Sequence, residues 1–198
     1  MKEEINLDFC FKGSRKYVHG TDIFTKIITV HSKHIKNIDI TFHGITINNM
    51  TFHTEKPGVK NIKVIFRCLA NGNKIKLFGI ENDSMVDCRY EYIEEMIVEN
   101  SKVDIINDRI FLTTPTEYTF IEHIVAMNKS LLESLYPDIN GKWYFTRLQM
   151  KKNIHISDVV SLQLILKSNF QFKLTKSAII VNDTEVGFIY FSLIPKGS

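Results

Sequence analysis

Apolar residues recur at helical spacing in one long stretch in the second half of the chain, residues 119–135. Thr119, with Glu122 three residues later, has the pattern of a capping box, in which each side chain accepts a hydrogen bond from the other residue's backbone N–H. Pro137, Asn140 and Gly141 favour an end to the helix soon afterwards. The apolar positions step by three and four residues, as on one helix face: Ile121, Ile124, Val125, Leu131, Leu132 and Leu135. The sequence therefore predicts one long, buried helix.

A shorter helix is predicted in the first half, directly after Gly20. Thr21 is a favourable residue for capping its start, and His34 and Lys36 mark its expected end. Its apolar residues again step by three and four: Ile23, Phe24, Ile27 and Ile28.

Much of the remaining chain alternates apolar with polar residues, which is the pattern of strands buried on one face. In the first half the predicted strands are residues 7–11, 38–47, 60–69, 74–80 and 85–93. In the second half they are residues 109–113, 143–150, 159–168, 170–182 and 185–193. Turns are expected at Pro57-Gly58, Asn71-Gly72 and Asn82-Asp83, which would make the strands antiparallel. Residues 94–104 show little periodicity and are expected to connect the halves.

A repeat with a shift of 100 residues relates the two halves. Two pairs of segments match at this shift: Glu81-Asn-Asp-Ser84 with Val181-Asn-Asp-Thr184, and Ile62-Lys-Val-Ile-Phe66 with Leu162-Gln-Leu-Ile-Leu166. Chance similarity between β-rich segments is the alternative explanation. A true repeat predicts that residues 5–93 and 105–194 superpose, with helix and strands in the same order.

The composition is that of a globular protein, with 44% apolar residues for a sizeable core. The formal charge of +3 comes from 25 basic and 22 acidic residues spread along the chain, so nucleic-acid binding is not indicated. We expect no membrane span, because the chain has no run of 18 apolar residues, and no signal peptide, because the start at Met1 lacks that pattern. Cys10, Cys68 and Cys88 are odd in number and lack CxxC spacing, which favours reduced thiols and a cytoplasmic protein.

A helix that follows the first strand, is wrapped by the next antiparallel strands and occurs twice within 198 residues resembles the hot-dog superfamily in its tandem, double form. The resemblance implies an α+β fold, a double hot-dog in which each repeat is an antiparallel sheet wrapped around a central helix. The repeats would be residues 1–98 and 99–198, paired across a pseudo-two-fold axis. A second molecule is then not needed to complete the pairing, although a homo-oligomer formed through sheet edges stays open.

The same resemblance implies an acyl-thioester site. The partner would be acyl-CoA or the thioester of an acyl carrier protein, and no cofactor is implied. The commonest reactions are thioester hydrolysis and the dehydration or hydration of β-hydroxyacyl chains. A catalytically inactive double hot-dog that binds an acyl chain or an acyl carrier protein is the alternative function.

Asp22 and Glu122 stand at the same shift of 100 residues, in the first turns of the two predicted helices. A carboxylate is favoured there by the helix dipole. It could act as a general base beside backbone N–H groups that would stabilise an oxyanion. The structural alternative is that Glu122 only completes the capping box and that Asp22 is an ordinary first-turn acid.

His19 precedes the first helix, and His123 lies beside Glu122 in the second. Histidine is suited to general acid–base chemistry near neutral pH. The resemblance implies that each histidine works with the carboxylate of the opposite repeat. Local hydrogen bonding without a catalytic role is the alternative for both.

Gly20 and Asn128 are the candidate substrate-binding residues. Asn128 is polar on an otherwise apolar helix stripe, so its amide must either bond the sheet backbone or face a cleft.

The scattered histidines His31, His34 and His43 do not form a ligand pattern, so no metal site is expected. We expect the working carboxylate to be Glu122, because the longer and better-capped helix would hold it more rigidly.

Overall fold

The computed structural model describes residues 4–31, 35–58 and 61–195. The chain divides into two compact units, Met1–Tyr92 and Ile93–Ser198. Each unit contains a helix and an antiparallel sheet.

The described part of the first unit contains one helix, five strands of antiparallel sheet and a short parallel pair of strands. Its elements are β1 (Glu4–Leu7), β2 (Phe11–Lys12), α1 (Gly20–His31), β3 (Ile35–Phe42), β4 (Asn48–His53), β5 (Val64–Ala70), β6 (Asn73–Met85) and β7 (Arg89–Tyr90). The sheet has the order β1-β4-β6-β5-β3, and every neighbouring pair is antiparallel. The separate pair, β2 and β7, is parallel.

The core of the first unit combines the apolar face of α1 with apolar strand residues. α1 buries Ile23, Phe24 and Ile27 and packs against β3. Alternation along β5 buries Val64, Phe66, Cys68 and Ala70, as expected for a strand with one face in the core. His19 directly precedes α1 and Asp22 lies in its first turn. The packing that holds α1 in the core therefore also fixes the position of these two residues.

The second unit contains two helices and six strands in its described residues. Its elements are α2 (Glu95–Glu99), β8 (Ser101–Asp104), β9 (Arg109–Leu112), α3 (Phe120–Leu135), β10 (Gly141–Lys152), β11 (Leu162–Phe170), β12 (Leu174–Val181) and β13 (Thr184–Pro195), with one 3₁₀ turn at Ile156–Asp158. The sheet order is β10-β13-β12-β11-β9-β8, again antiparallel throughout. α3 packs against β8, β9, β10, β11 and β13.

Both predicted helices are present. The long helix begins at Phe120 with Thr119 as its N-cap, and the shorter helix begins at Gly20. α1 is described as far as His31, and the predicted end at His34 lies outside the described residues. Ten of the sixteen residues of α3 are buried, which agrees with the predicted buried helix.

Several predictions about the strands are wrong. Residues 7–11 are not one strand, because β1 ends at Leu7 and β2 begins at Phe11. Residues 85–93 are not one strand either: Met85 ends β6, and Arg89–Tyr90 form the short β7, which pairs in parallel with β2. The predicted connection at residues 94–104 contains α2 and β8. β4 was not predicted, because its buried Asn49 interrupts the apolar pattern: this amide accepts from Phe9 N–H at 2.7 Å and donates to Met85 O at 3.1 Å.

The turn expected at Asn82-Asp83 lies inside β6. At the matching position of the second unit, Asn182-Asp183 is the turn between β12 and β13, with φ of 49° and 61°. The matched segments therefore have different structures. The shift of 100 instead aligns two other hairpin turns, Asn71-Gly72 and Gln171-Phe172, in which all four residues have positive φ.

The two units also differ in strand order. In the first unit the third strand after the helix, β5, lies beside the first, β3. In the second unit it is the fourth strand, β13, that lies beside the first, β10. The prediction that the halves share one strand order is therefore wrong.

The prediction of reduced thiols is wrong for two of the three cysteines. Cys10 and Cys88 form a disulfide with their Cα atoms 4.7 Å apart. Cys68 is free and buried on β5, and burial raises the pKa of its thiol to about 11. The pairing was not predictable from spacing, because the two cysteines are separated by 78 residues.

None of the helices in the described residues is both long and apolar enough to cross a membrane.

Candidate active site

The start of α1 gathers three polar side chains of the first unit. The backbone N–H groups of Asp22 and Ile23 bond to the carbonyl oxygen of His19 at 3.0 and 3.2 Å, so His19 directly precedes the helix and accepts its first hydrogen bonds. His19 Nδ1 lies 2.7 Å from Thr21 Oγ1. Thr21 Oγ1 lies 3.3 Å from Asp22 Oδ1. The structure thus connects His19 to Asp22 through the Thr21 hydroxyl.

A fully buried lysine extends this group. Lys12 Nζ donates to Thr21 Oγ1 at 3.1 Å and lies 3.4 Å from Asp22 Oδ1, and the Lys12 side chain is 0% exposed. The ring centroid of Tyr92 lies 4.1 Å from the same Nζ, within the range of a cation–π interaction. A buried ammonium group is costly unless its charge is paired. Asp22 and the Tyr92 ring provide that compensation.

The two oxygens of the Asp22 carboxylate have different surroundings. Oδ1 accepts from the Tyr90 hydroxyl at 2.8 Å and also lies near Lys12 Nζ and Thr21 Oγ1. Oδ2 is buried and has no hydrogen-bond partner among the described residues. Since an ionised carboxylate oxygen can accept about two hydrogen bonds, Oδ2 can still accept a donor from a ligand.

The start of α3 uses its carboxylate as a cap. Glu122 Oε2 accepts from the Thr119 backbone N–H at 2.8 Å and from the Thr119 hydroxyl at 2.6 Å. This is the predicted capping box. Glu122 therefore stabilises the helix start, which was the structural alternative considered for it.

Both ring nitrogens of His123 are bonded inside the second unit. Nε2 accepts from the Thr116 backbone N–H at 3.2 Å and lies 3.0 Å from the Thr116 hydroxyl. The N–H at Nδ1 then donates to Thr119 O at 2.9 Å. The pKa of His123 is lowered, chiefly by burial, with partial opposition from the bond to Thr119 and the charge of Glu122. His123 is thus held as a neutral imidazole that joins the loop at Thr116 to α3.

Asn128 lies on the buried face of α3 and is 0% exposed. Neither its Oδ1 nor its Nδ2 has a hydrogen-bond partner among the described residues. The bond to the sheet backbone, one of the two alternatives considered for this amide, is therefore absent among the described residues. Gly20 is the first residue of α1, and its position between His19 and Thr21 makes it part of the same helix start.

Lys12 and Tyr90 were not predicted as site residues. Lysine is seldom fully buried, so the sequence gave no signal that Lys12 belongs to a site. Tyr90 was placed in a predicted strand, and its contact with Asp22 spans 68 residues of sequence. A predicted pairing of Cys10 with Cys88 would have brought Lys12 and Tyr90 close together, because each lies two positions beyond one of these cysteines.

The second unit also has a groove between α2 and α3, with a volume of about 340 Å³. Four glutamates line it, Glu94, Glu95, Glu99 and Glu133, together with Lys129. Lys129 Nζ is paired with Glu94 at 3.4 Å. This acidic lining is unsuited to the phosphates of coenzyme A or of a carrier-protein arm, because like charges repel.

No protein-family model and no curated protein matches the sequence. Among solved structures, the chain is similar to the tesB protein of Mycobacterium avium subspecies paratuberculosis, with a TM-score of 0.52, 7% identity and coverage of 97% of this chain and 93% of that chain. The pyran synthase domain from module nine of the sorangicin pathway gives a TM-score of 0.49, with 5% identity over 99% of this chain and 94% of that chain. For the dehydratase domain of PpsC from Mycobacterium tuberculosis the TM-score is 0.47, with 8% identity over 98% and 93% of the two chains.

These identities are far below the level at which activity can be transferred, so the similarity concerns the fold. Each unit has a central helix followed by antiparallel strands, and the similarity to the tesB protein extends over nearly the whole of both chains. The chain therefore has a hot-dog fold.

Proposed function

We propose that the protein is an enzyme acting on acyl thioesters of coenzyme A or of an acyl carrier protein, with its acid–base site at the start of α1. The hot-dog fold supports the substrate class. The observation that carries the proposal is the arrangement around Asp22, where a buried Lys12 and the Tyr90 hydroxyl hold one carboxylate oxygen and leave the other to accept a donor.

His19 is the proposed general base. When its Nδ1–H donates to Thr21 Oγ1 and the Thr21 hydroxyl donates to Asp22, the lone pair of the imidazole is on Nε2. Asp22 then orients the ring through Thr21, as the carboxylate does in a hydrolytic triad. For hydrolysis, His19 takes a proton from water as the water oxygen bonds to the thioester carbonyl carbon. The C–S bond then breaks, and the leaving sulfur takes up the proton.

A dehydratase would use the same groups differently. His19 would remove the α-proton of a β-hydroxyacyl thioester and return it to the β-hydroxyl, which leaves as water as the C–O bond breaks and the α,β double bond forms. Asp22 Oδ2 could accept a hydrogen bond from that hydroxyl. The two reactions release different products, so one assay panel distinguishes them.

The contacts favour Asp22 over Glu122 as the working carboxylate. Glu122 Oε2 is occupied by two bonds from Thr119, and the neighbouring His123 is committed to Thr116 and Thr119. Taking either side chain into catalysis would remove contacts that hold α3 in place. Asp22 needs no such exchange, because its Oδ2 has no partner among the described residues.

We also infer that the two units are the repeats of a double hot-dog, the first with rearranged strands. α1 begins at Gly20 and α3 at Phe120, a shift of 100 residues. The hairpin turns at Asn71-Gly72 and Gln171-Phe172 keep that shift and the same sign of φ. A common origin accounts for this agreement, even though the strands between helix and hairpin differ in order.

The test is a panel of acyl-CoA and acyl-carrier-protein thioesters, followed for release of free thiol and for change in enoyl absorbance. We expect turnover of at least one chain length, with a loss of roughly 10²- to 10⁴-fold in His19→Gln. His155→Gln, which changes an exposed histidine in the second unit, is the matched control and should retain full activity. Binding of acyl thioesters without turnover of any of them would contradict the enzyme proposal.

A further inference from the structure

The disulfide of the first unit lies next to the residues that hold Asp22. Cys10 and Cys88 are joined, and the two residues that follow each of them form the parallel pair β2–β7. In this pair Lys12 is in register with Tyr90. Lys12 and Tyr90 are the residues whose Nζ and hydroxyl contact Asp22 Oδ1.

Hydrogen bonds and a cation–π contact, of Arg89 with the Phe11 ring, also join the two strands of the parallel pair. Its backbone contacts are Phe11 N–H to Cys88 O and Gly13 N–H to Tyr90 O, both at 2.9 Å. Arg89 adds side-chain bonds to the carbonyl oxygens of Gly13 and Arg15. Each β7 residue is exposed, so water competes for these bonds. A covalent link between residues 78 positions apart restricts this region far more than two exposed backbone hydrogen bonds.

We propose that Lys12 and Tyr90 are positioning residues for Asp22 and that the Cys10–Cys88 disulfide keeps them in register, so that reducing the disulfide lowers the activity of the site. The inference rests on the proposed function for its effect on turnover. The dependence of the Asp22 environment on the disulfide does not rest on the proposed function.

The redox step needs a dithiol as the reductant. A thiolate of the dithiol attacks one sulfur of the Cys10–Cys88 disulfide, whose S–S bond breaks to give a mixed disulfide and one protein thiol. The second thiol of the reagent then attacks the reagent sulfur of the mixed disulfide and releases the second protein thiol. The protein gains two electrons and two protons as two thiols, and the dithiol becomes a cyclic disulfide. Cys88 is exposed, which gives the reagent access.

The experiment compares the oxidised and dithiothreitol-reduced protein, with far-UV circular dichroism to show that the fold is kept. The carboxyl ¹³C signal of Asp22, assigned with Asp22→Asn, reports on the carboxylate itself. We expect this signal to shift on reduction, and to shift in Tyr90→Phe before any reduction. For turnover we expect kcat to fall roughly tenfold or more while KM changes less than about twofold, because the substrate contacts remain.

Cys68→Ala is the matched control, since it removes the free thiol and keeps the disulfide. It should respond to dithiothreitol as the unmodified protein does. In Tyr90→Phe, reduction should lower kcat by a smaller factor, because the two changes act on the same contact.

The outcomes separate this inference from the proposed function. If turnover is present and reduction changes neither kcat nor the Asp22 signal, the positioning role is wrong and the enzyme proposal stands. If the Asp22 signal shifts on reduction but no acyl thioester is turned over, the disulfide does position Asp22 and the proposed function is wrong. A fall in kcat without any shift at Asp22 would also overturn the positioning role.

Discussion

The starts of α1 and α3 carry the same types of residue, a histidine and a carboxylate, but their contacts differ. At α3, Glu122 caps the helix through Thr119, and His123 is buried with both nitrogens bonded. At α1, Asp22 faces a lysine that is 0% exposed and keeps one oxygen without a partner among the described residues. Neighbours from distant parts of the sequence decide whether such a pair is a structural cap or a polar site.

The largest expected effect of this difference concerns the two lysine–carboxylate pairs. Lys12→Met leaves the mostly buried Asp22 carboxylate without its cation, which should lower the free energy of unfolding by about 3–5 kcal/mol. Lys129→Met breaks the pair with Glu94, in which the lysine side chain is 31% exposed, and should cost about 1 kcal/mol or less. Urea unfolding of both variants measures the contrast. Equal losses would mean that burial does not distinguish the two pairs.

The two buried asparagines should respond in opposite directions. Asn49→Leu removes an amide bonded to Phe9 N–H, Ser84 Oγ and Met85 O, and should lower the free energy of unfolding by about 2–3 kcal/mol. Asn128→Leu replaces an amide without partners among the described residues and should raise it by about 1–2 kcal/mol. Thermal and urea unfolding would show both signs. A large loss in Asn128→Leu would show that this amide contributes to the fold.

A smaller effect should appear in the pH dependence of stability. The pKa of His123 in the folded protein is lowered below its ordinary value near 6.5, so the unfolded chain binds a proton first as pH falls. The contribution of neutral His123 to the free energy of unfolding is therefore fully present above about pH 6.5. Below that pH the free energy of unfolding decreases, by up to about 1.4 kcal/mol per pH unit, until the pH reaches the pKa of His123 in the folded protein.

His123→Gln should flatten that dependence, and His155→Gln, at an exposed position, is the control substitution. Urea unfolding between pH 5 and 8 provides the measurement. Identical pH dependence in the unmodified protein and His123→Gln would contradict the role given to burial.

The helices were predictable because their apolar residues repeat within a few positions of each other. The Thr119–Glu122 capping box was predictable for the same reason, since it depends only on residues three apart. β4 was not predictable, because its position depends on the hydrogen bonds of Asn49 to Phe9 and Met85, which are distant in sequence. Local pattern predicts elements that are stabilised locally.

The candidate site was predicted only in part for a related reason. His19 and Asp22 lie close in sequence, and their connection through Thr21 is local. The contribution of Lys12 and Tyr90 depends on the disulfide and on the parallel register of β2 with β7. The difference in strand order between the units is likewise a property of long-range pairing, which the match at a shift of 100 residues could not disclose.

The most direct test of the account is the single-turnover rate of an accepted acyl thioester in three folded variants, His19→Gln, Asp22→Asn and Glu122→Gln. We predict losses of roughly 10²- to 10⁴-fold in the first two, because they remove the base and the group that orients it. For Glu122→Gln we predict a rate within about fivefold of the unmodified protein, because the amide oxygen can still accept from Thr119. A normal rate in His19→Gln and Asp22→Asn, with a large loss in Glu122→Gln, would contradict the account.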